Sequence, residues 1–279
     1  MPLLLAALAS VTFGVADFVG GFASRRTAAV TVVAGSQAVA LVAIVAAAPL
    51  FSDGVPPLTD LAWGFGAGLA GSVGLAVFYH ALATTRIGVA APVASVVSTL
   101  VPVVFGIATG ERPAALAWVG MVLALPAMLL LPASGSADPS GARGHRAAYL
   151  GAVAGFGFGL FGILISRTAA ESGMWPLAGA RIGSLALMAV LVPLMRARYL
   201  PRRDAWPTIA TAGILDMSAN VLFLIAVRKE LLSVVAVIMS FYPASTMVLA
   251  RMVFGERTVR RQLAGLALAA VAVTLIAVG

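Results

Sequence analysis

Residues 3–23 read LLLAALASVTFGVADFVGGFA, a run whose one charge is Asp17. A helix needs about 20 predominantly apolar residues to cross about 30 Å of hydrocarbon, and this run has that length without interruption. A membrane barrel would instead alternate apolar and polar residues over about ten positions per strand, which this run does not do. No basic stretch precedes it, and its apolar character continues for a full span, so it reads as a first transmembrane helix and not as a cleaved leader.

Working outward, the pattern recurs. Apolar runs between polar or Pro/Gly breaks fall at Val30–Phe51, Leu61–Ala83, Val89–Ile107 and Ala115–Leu131, then at Ala147–Ile165, Leu177–Leu194, Trp206–Val227, Leu231–Phe254 and Leu263–Gly279. With the first run these make ten predicted spans in an all-α integral membrane protein. Composition agrees: 61% of the 279 residues are hydrophobic and 10% charged, against about 45–50% and about 25% in soluble domains. A water-soluble core has no room for that much apolar surface, so soluble enzymes, nucleic-acid readers and disordered chains are excluded. The net charge of +8 is scattered over short connections without a basic stripe beside aromatics, so nucleic acid is not an expected partner. With no cysteine and two distant histidines, His80 and His145, no metal site is expected.

The stretch 133–146, rich in Gly, Ser and Ala, resembles a linker and divides the chain into residues 1–132 and 147–279, five spans each. Sliding the sequence by 145 residues brings out a repeat: Phe13-Gly14 falls on Phe158-Gly159, Phe78 on Phe223, Ser95 on Ser240, and Gly110-Glu111-Arg112 on Gly255-Glu256-Arg257. A unit with an odd number of crossings enters the membrane from the opposite side in its second copy. Two such copies form inverted-topology repeats, the arrangement that secondary transporters use to alternate access around a midplane site.

Two five-span halves, each with a Gly-Glu-Arg corner before its fifth helix, resemble the EamA family of the drug/metabolite transporter superfamily. Tyr242-Pro243 followed by Phe254-Gly255-Glu256-Arg257 resembles that family's ninth-helix signature, whereas the first half departs from it at Ser98. The resemblance implies a multi-pass carrier of small metabolites or drugs in the inner membrane of a bacterial cell. A narrower similarity lies in Ala16-Asp17-Phe18-Val19-Gly20 with Arg25 beyond. It is similar to the first-helix pattern of the small multidrug resistance proteins, in which the acid binds proton and cationic drug in turn. The residue aligned with Asp17 in the second half is Gly162, so such an acid is single.

An Asp near a helix centre costs about 2.5–3.5 kcal/mol on insertion scales. Asp17 and Asp216 are the acids well inside spans, and Asn220 follows Asp216 by one helical turn. Asp17 is the expected proton-coupling residue, and Asp216 a cavity residue; the alternative for either is a static pair with Arg181 or Arg251. Arg181 has two readings, an anion clamp or the partner of Asp216. His80 suits a proton relay or helix packing. Tyr79, Gln37 and Tyr242 are further cavity candidates or interhelical hydrogen bonds. Glu111 and Glu256 are expected to be structural, bonding backbone amides at the start of the next helix and pairing with Arg112 or Arg257. The glycine-dense segments lack the Gly-Lys-Ser/Thr of a phosphate loop, so neither ATP nor any other cofactor is expected.

The loops split the basic residues unevenly. Arg25, Arg26, Arg86, Arg143, Arg146, Arg196, Arg198, Arg202, Arg203, Arg257, Arg260 and Arg261 fall on one side, and Arg112, Arg167, Arg228 and Lys229 on the other. The positive-inside rule then places both termini outside, whereas the family resemblance implies both inside. The reading is therefore a secondary transporter, a proton-coupled exporter of a small metabolite or drug. Its alternatives are an uptake carrier, an exchanger or a mover of lipid-linked substrates, and it is not an enzyme. Its expected partners are a small-molecule substrate, the lipid bilayer and a coupling proton, in a monomer or homodimer.

Overall fold

The computed structural model describes residues 1–24, 27–51, 56–84, 87–130, 142–242, 244–245, 248–249, 252 and 260–278. Arg25, Arg26, Arg86, Arg251, Glu256, Arg257 and the side chains of Tyr79 and Arg143 lie outside the described residues, as does most of the 133–146 stretch. Its last five residues are described and begin a helix, so the linker is shorter than the composition predicts.

Ten helices are described: α1 Pro2–Ser24, α2 Ala29–Ala47, α3 Leu58–Thr84, α4 Ile87–Ala108, α5 Ala115–Leu130, α6 Ala142–Ser166, α7 Trp175–Leu194, α8 Trp206–Val227, α9 Leu232–Met239 and α10 Arg260–Val278. This is an all-α, multi-pass membrane fold. Six helical stretches among the described residues are long and apolar enough to cross a bilayer, those of α1, α2, α3, α6, α7 and α8. Val93–Ala108, Ala115–Leu130 and Leu263–Val278 are apolar but shorter. Hydrogen bonding explains the helical state: in hydrocarbon each backbone group needs an internal partner, and a helix supplies it locally. Both α7 and α8 open on Trp-Pro, at Trp175-Pro176 and Trp206-Pro207. The proline sits where a missing N–H costs nothing, and the indole stands at a helix end, as an interfacial belt requires.

The packing follows one scheme. Helix α3 lies on α6 and α7, and α8 lies on α1 and α2. Helix α4 packs on α6, and α9 on α1. Three further pairs are α2 with α7, α4 with α9, and α5 with α10. Small residues allow these approaches, most tightly between α3 and α7. A Cβ on Gly68 would lie 1.8 Å from the Ala180 carbonyl oxygen, and one on Gly183 would lie 2.2 Å from that of Phe65. The two backbones touch, as small residues permit in membranes.

The Glu111 corner differs from the expectation. Helix α4 ends with Gly110 at φ +102°, and the Gly110 and Glu111 amides donate to the carbonyls of Ile107 and Gly106 at 3.1 and 2.9 Å. This is a Schellman ending, with glycine at the left-handed position. It turns Glu111 back over Gly106 and toward the second half of the chain. There the carboxylate accepts from the amides of Leu232 at 2.8 Å and Ser233 at 3.0 Å. The amides it caps open α9 and not α5. With both oxygens taken by amides, Arg112 stands exposed outside this clasp.

Further ties join helix ends and loops. Buried Asp60 accepts from the Ala169 amide at 3.0 Å and the Ser172 hydroxyl. Arg228 donates to the carbonyls of Gly173 and Ala169 at 2.7 and 2.8 Å. Burial pushes the Arg228 guanidinium below its ordinary range, while Asp60 and Glu171 pull it back. Elsewhere, Thr31 donates to the Arg198 carbonyl, and Arg261 donates to that of Leu129.

Candidate functional site

A cavity of about 240 Å³ opens among α1, α2, α3, α4, α6, α7, α8 and α9. Most of its wall is apolar, and Phe78 meets Phe158 edge to face with centroids 5.9 Å apart. Fourteen of the lining residues form seven pairs separated by the repeat interval. Phe13 and Phe158, Phe78 and Phe223, Ala16 and Phe161 all face the space. So do Asp17 and Gly162, Ser36 and Arg181, Gly71 and Asp216, Leu75 and Asn220. In each of the last four pairs one member is charged or an amide and the other is not. The polar chemistry is thus lopsided on a framework of matched positions.

The charges form a cluster around Arg181. Its Nη1 lies 3.0 Å from Asp216 Oδ2 and also donates to Gln37 Oε1. The guanidinium is 5% exposed and the Asp216 carboxylate 26%, so the pair forms part of the wall with the acid turned toward the cavity. Asn220 donates to the Asp216 carbonyl at 2.8 Å and to Oδ1 at 3.4 Å, one turn away on α8. Within this cluster, Nε and Nη2 of Arg181, Oδ2 of Asp216 and Oδ1 of Asn220 are buried without hydrogen-bond partners among the described residues, the Asp216 oxygen meeting Arg181 as an ion pair only. Asp17 takes no part in that ion pair: its side chain is exposed although it sits well inside α1, and it lines the same cavity.

The ninth helix is interrupted beside this cluster. Helix α9 ends at Met239, Ser240 and Phe241 form a turn, and helical backbone resumes at Tyr242. Pro243 has no N–H, so the Met239 carbonyl loses its partner four residues on. Ser10 of α1 supplies one at 3.1 Å. The Ala244 amide donates to Phe241 instead of Ser240, and Ser95 of α4 donates to the freed Ser240 carbonyl at 3.3 Å. Ser95 and Ser240 are themselves a repeat pair, in direct contact. Gly14 makes room for the broken helix, since a Cβ there would lie 2.3 Å from the Tyr242 carbonyl oxygen.

The structure therefore brings Asp17, Gln37, Arg181, Asp216, Asn220 and Tyr242 together on one cavity. It does not bring in His80, which is exposed and lies 3.5 Å from Arg146 at the start of α6. Sequence reasoning misses Ser36, Ser72 and Ser184, which also line the space. A hydroxyl that bonds its own helix fits any apolar run, as Ser36 does with the Val33 carbonyl. The 145-residue interval is the signal that finds Ser36, the counterpart of Arg181.

Residues 145–278 match the EamA-like transporter family. The second half of this chain is thus similar to a family of transporters. A solved crystal structure described only as that of a protein shares the fold, with a TM-score of 0.81 at 16% identity over 99% of this chain and 96% of that one. No curated protein matches the chain. Movement of small molecules across a membrane is the function that this match supports.

Proposed function

We propose that the chain is a proton-coupled secondary transporter exporting a small solute through the central cavity, with ten spans in two inverted five-helix halves. The observation that carries this is the lopsided cavity itself. It is a largely apolar chamber enclosed by helices of both halves, with a cavity-lining carboxylate, Asp17, that is not part of the Arg181–Asp216 ion pair. A carboxylate inside a membrane without an ion pair is expensive unless it works, and Asp17 has no ion pair among the described residues. Asp17 takes a proton when the solute leaves and gives it up when the solute binds, so the proton gradient drives the exchange.

Two observations support the inverted halves. The main helix pairings are unchanged when α1 is exchanged with α6, α2 with α7, α3 with α8, α4 with α9 and α5 with α10. The loop ties also fall into two groups. Asp60 with Ala169 and Ser172, Arg228 with Gly173, and Glu111 with Leu232 join loops that ten crossings place at one end. Thr31 with Arg198, Arg261 with Leu129, and His80 with Arg146 join loops at the other. The broken ninth helix at the cavity is a further support, since discontinuous helices line the midplane sites of many such carriers.

Proton release on solute addition to the purified protein tests the coupling, with Asp17→Asn alongside. Release that is lost in Asp17→Asn is the expected result. Solute binding without release, together with normal flux by Asp17→Asn in proteoliposomes, would overturn it.

A further inference from the structure

Helix α7 ends in the same hydrogen-bond pattern as α4. The Arg196 amide donates to the Pro193 carbonyl and the Ala197 amide to that of Val192, both at 2.9 Å, which is again a Schellman ending. Here the left-handed position holds an arginine, Arg196 at φ +52°, where α4 has Gly110. A side chain strains that conformation and glycine does not, so the folded backbone alone favours glycine at 196.

The connection that follows folds back along the helix. Pro193 lacks an N–H, which leaves the Ala189 carbonyl without its helical donor, and Ala189 is exposed on the outer side of α7. The Tyr199 hydroxyl donates to that carbonyl at 2.7 Å. A carbonyl facing hydrocarbon has to be satisfied from within the protein, and this bond holds the connection beside the last turns of α7 instead of out in water.

The connection presents apolar and cationic groups together. Leu194 and Leu200 are 74% and 75% exposed, and Met195 and Tyr199 54% and 52%. Arg196, Arg198, Arg202 and Arg203 are exposed among them. Asp204, the carboxylate at the far end, meets Arg202 at 3.4 Å. The other three arginines have no ion pair among the described residues. Such a surface fits a boundary that is apolar on one side and anionic on the other.

We propose that the α7–α8 connection is a docking element for anionic phospholipids: Leu194, Met195 and Leu200 lie among acyl chains, while Arg196, Arg198 and Arg203 hold head-group phosphates. Charge decides the occupant. A neutral leaflet would cover the leucines equally well but offers three unpaired arginines nothing, whereas each arginine near an anionic surface is worth about fivefold in binding. That gain is what retains an arginine at the left-handed position. The element lies outside the cavity lining and goes beyond the transport reading, since it concerns the lipid around the carrier and not the solute within it.

The purified full chain in neutral detergent tests this, with Leu200→Cys as its single cysteine carrying a polarity-sensitive dye. The probes are dioctanoylphosphatidylglycerol, dioctanoylphosphatidylcholine and glycerol 1-phosphate. The anionic lipid should reach half its emission change at no more than about one-tenth of the concentration that the choline lipid needs, and glycerol 1-phosphate should cause no change. Arg196→Gly and Arg198→Gln should each raise the half-point of the anionic lipid about fivefold and leave that of the choline lipid where it was. Arg196→Gly carries its own control: without lipid it should unfold at no lower temperature than the parent, because glycine relaxes the left-handed position. Equal response to the two lipids, or an unchanged half-point in the double variant of Arg196→Gly and Arg198→Gln, would overturn the proposal. So would an emission change with glycerol 1-phosphate at the same concentrations, which marks a soluble-phosphate site. A lower unfolding temperature of Arg196→Gly would make that arginine a structural cap and overturn its assignment to lipid.

Discussion

Arg181 shows how a buried charge is kept in a membrane. Asp216 neutralises it at 3.0 Å and Gln37 adds a neutral acceptor on the same nitrogen. Removing one partner of a buried pair leaves the other charge uncompensated, at a cost of about 3–5 kcal/mol. Thermal unfolding in detergent should therefore show Arg181→Gln and Asp216→Asn each strongly destabilised. The double variant should recover much of the loss, since it leaves no lone charge. The pairing is legible in the sequence because opposite charges inside spans must find partners. Gln37 as the third member is not, since a neutral amide in an apolar run carries no such demand. His80 reads as a relay or a packing residue from its place in the last third of its span; in the structure it is exposed near the end of α3, with Arg146 beside it and outside the cavity lining.

At the scale of elements, the interruption of the ninth helix depends on hydroxyls from two other helices. Ser10→Ala and Ser95→Ala should each cost about 1 kcal/mol, the usual net worth of a hydrogen bond. Both losses should appear as lower unfolding temperatures. The Glu111 clasp joins the end of α4 to the start of α9. Glu111→Gln keeps one good acceptor for two amides and loses the charge at a helix N-terminus, so about 1–2 kcal/mol should be lost, again measured by unfolding. Gly68→Val should be far worse, because its side chain would have to enter the space of the Ala180 carbonyl; little folded protein should survive extraction. The apolar runs make the helices readable to within a few residues at most ends. Pro243 hints at the break at Ser240–Phe241, but the run stays apolar through it and hides the turn. The partner of Glu111 is out of reach of the sequence, since a corner's direction is set by tertiary packing.

At the scale of the molecule, the cysteine-free sequence allows a direct test of the proposed topology. Single cysteines at Glu171 and Glu230 should react with a membrane-impermeant thiol reagent from one side of the membrane, and those at Arg198 and Tyr199 from the other. The charge bias places the second pair in the cytoplasm. Both pairs reacting from the same side would rule out ten crossings. The apolar runs and the 145-residue interval carry the proposed architecture in the sequence, whereas the cavity's closure requires knowing which helix faces meet.

The lopsided lining has a consequence for energetics. A carrier whose halves were interchangeable would offer the same affinity to solute arriving from either compartment. Here, exchanging the halves would put Gly162 where Asp17 stands, Ser36 where Arg181 stands and Leu75 where Asn220 stands. The two access states then hold an identical solute with different contacts and at different depths of its well. Under the proposed mechanism such a carrier is a lopsided turnstile: its half-saturating concentrations differ between the two faces, while the gradients alone set the direction of net movement.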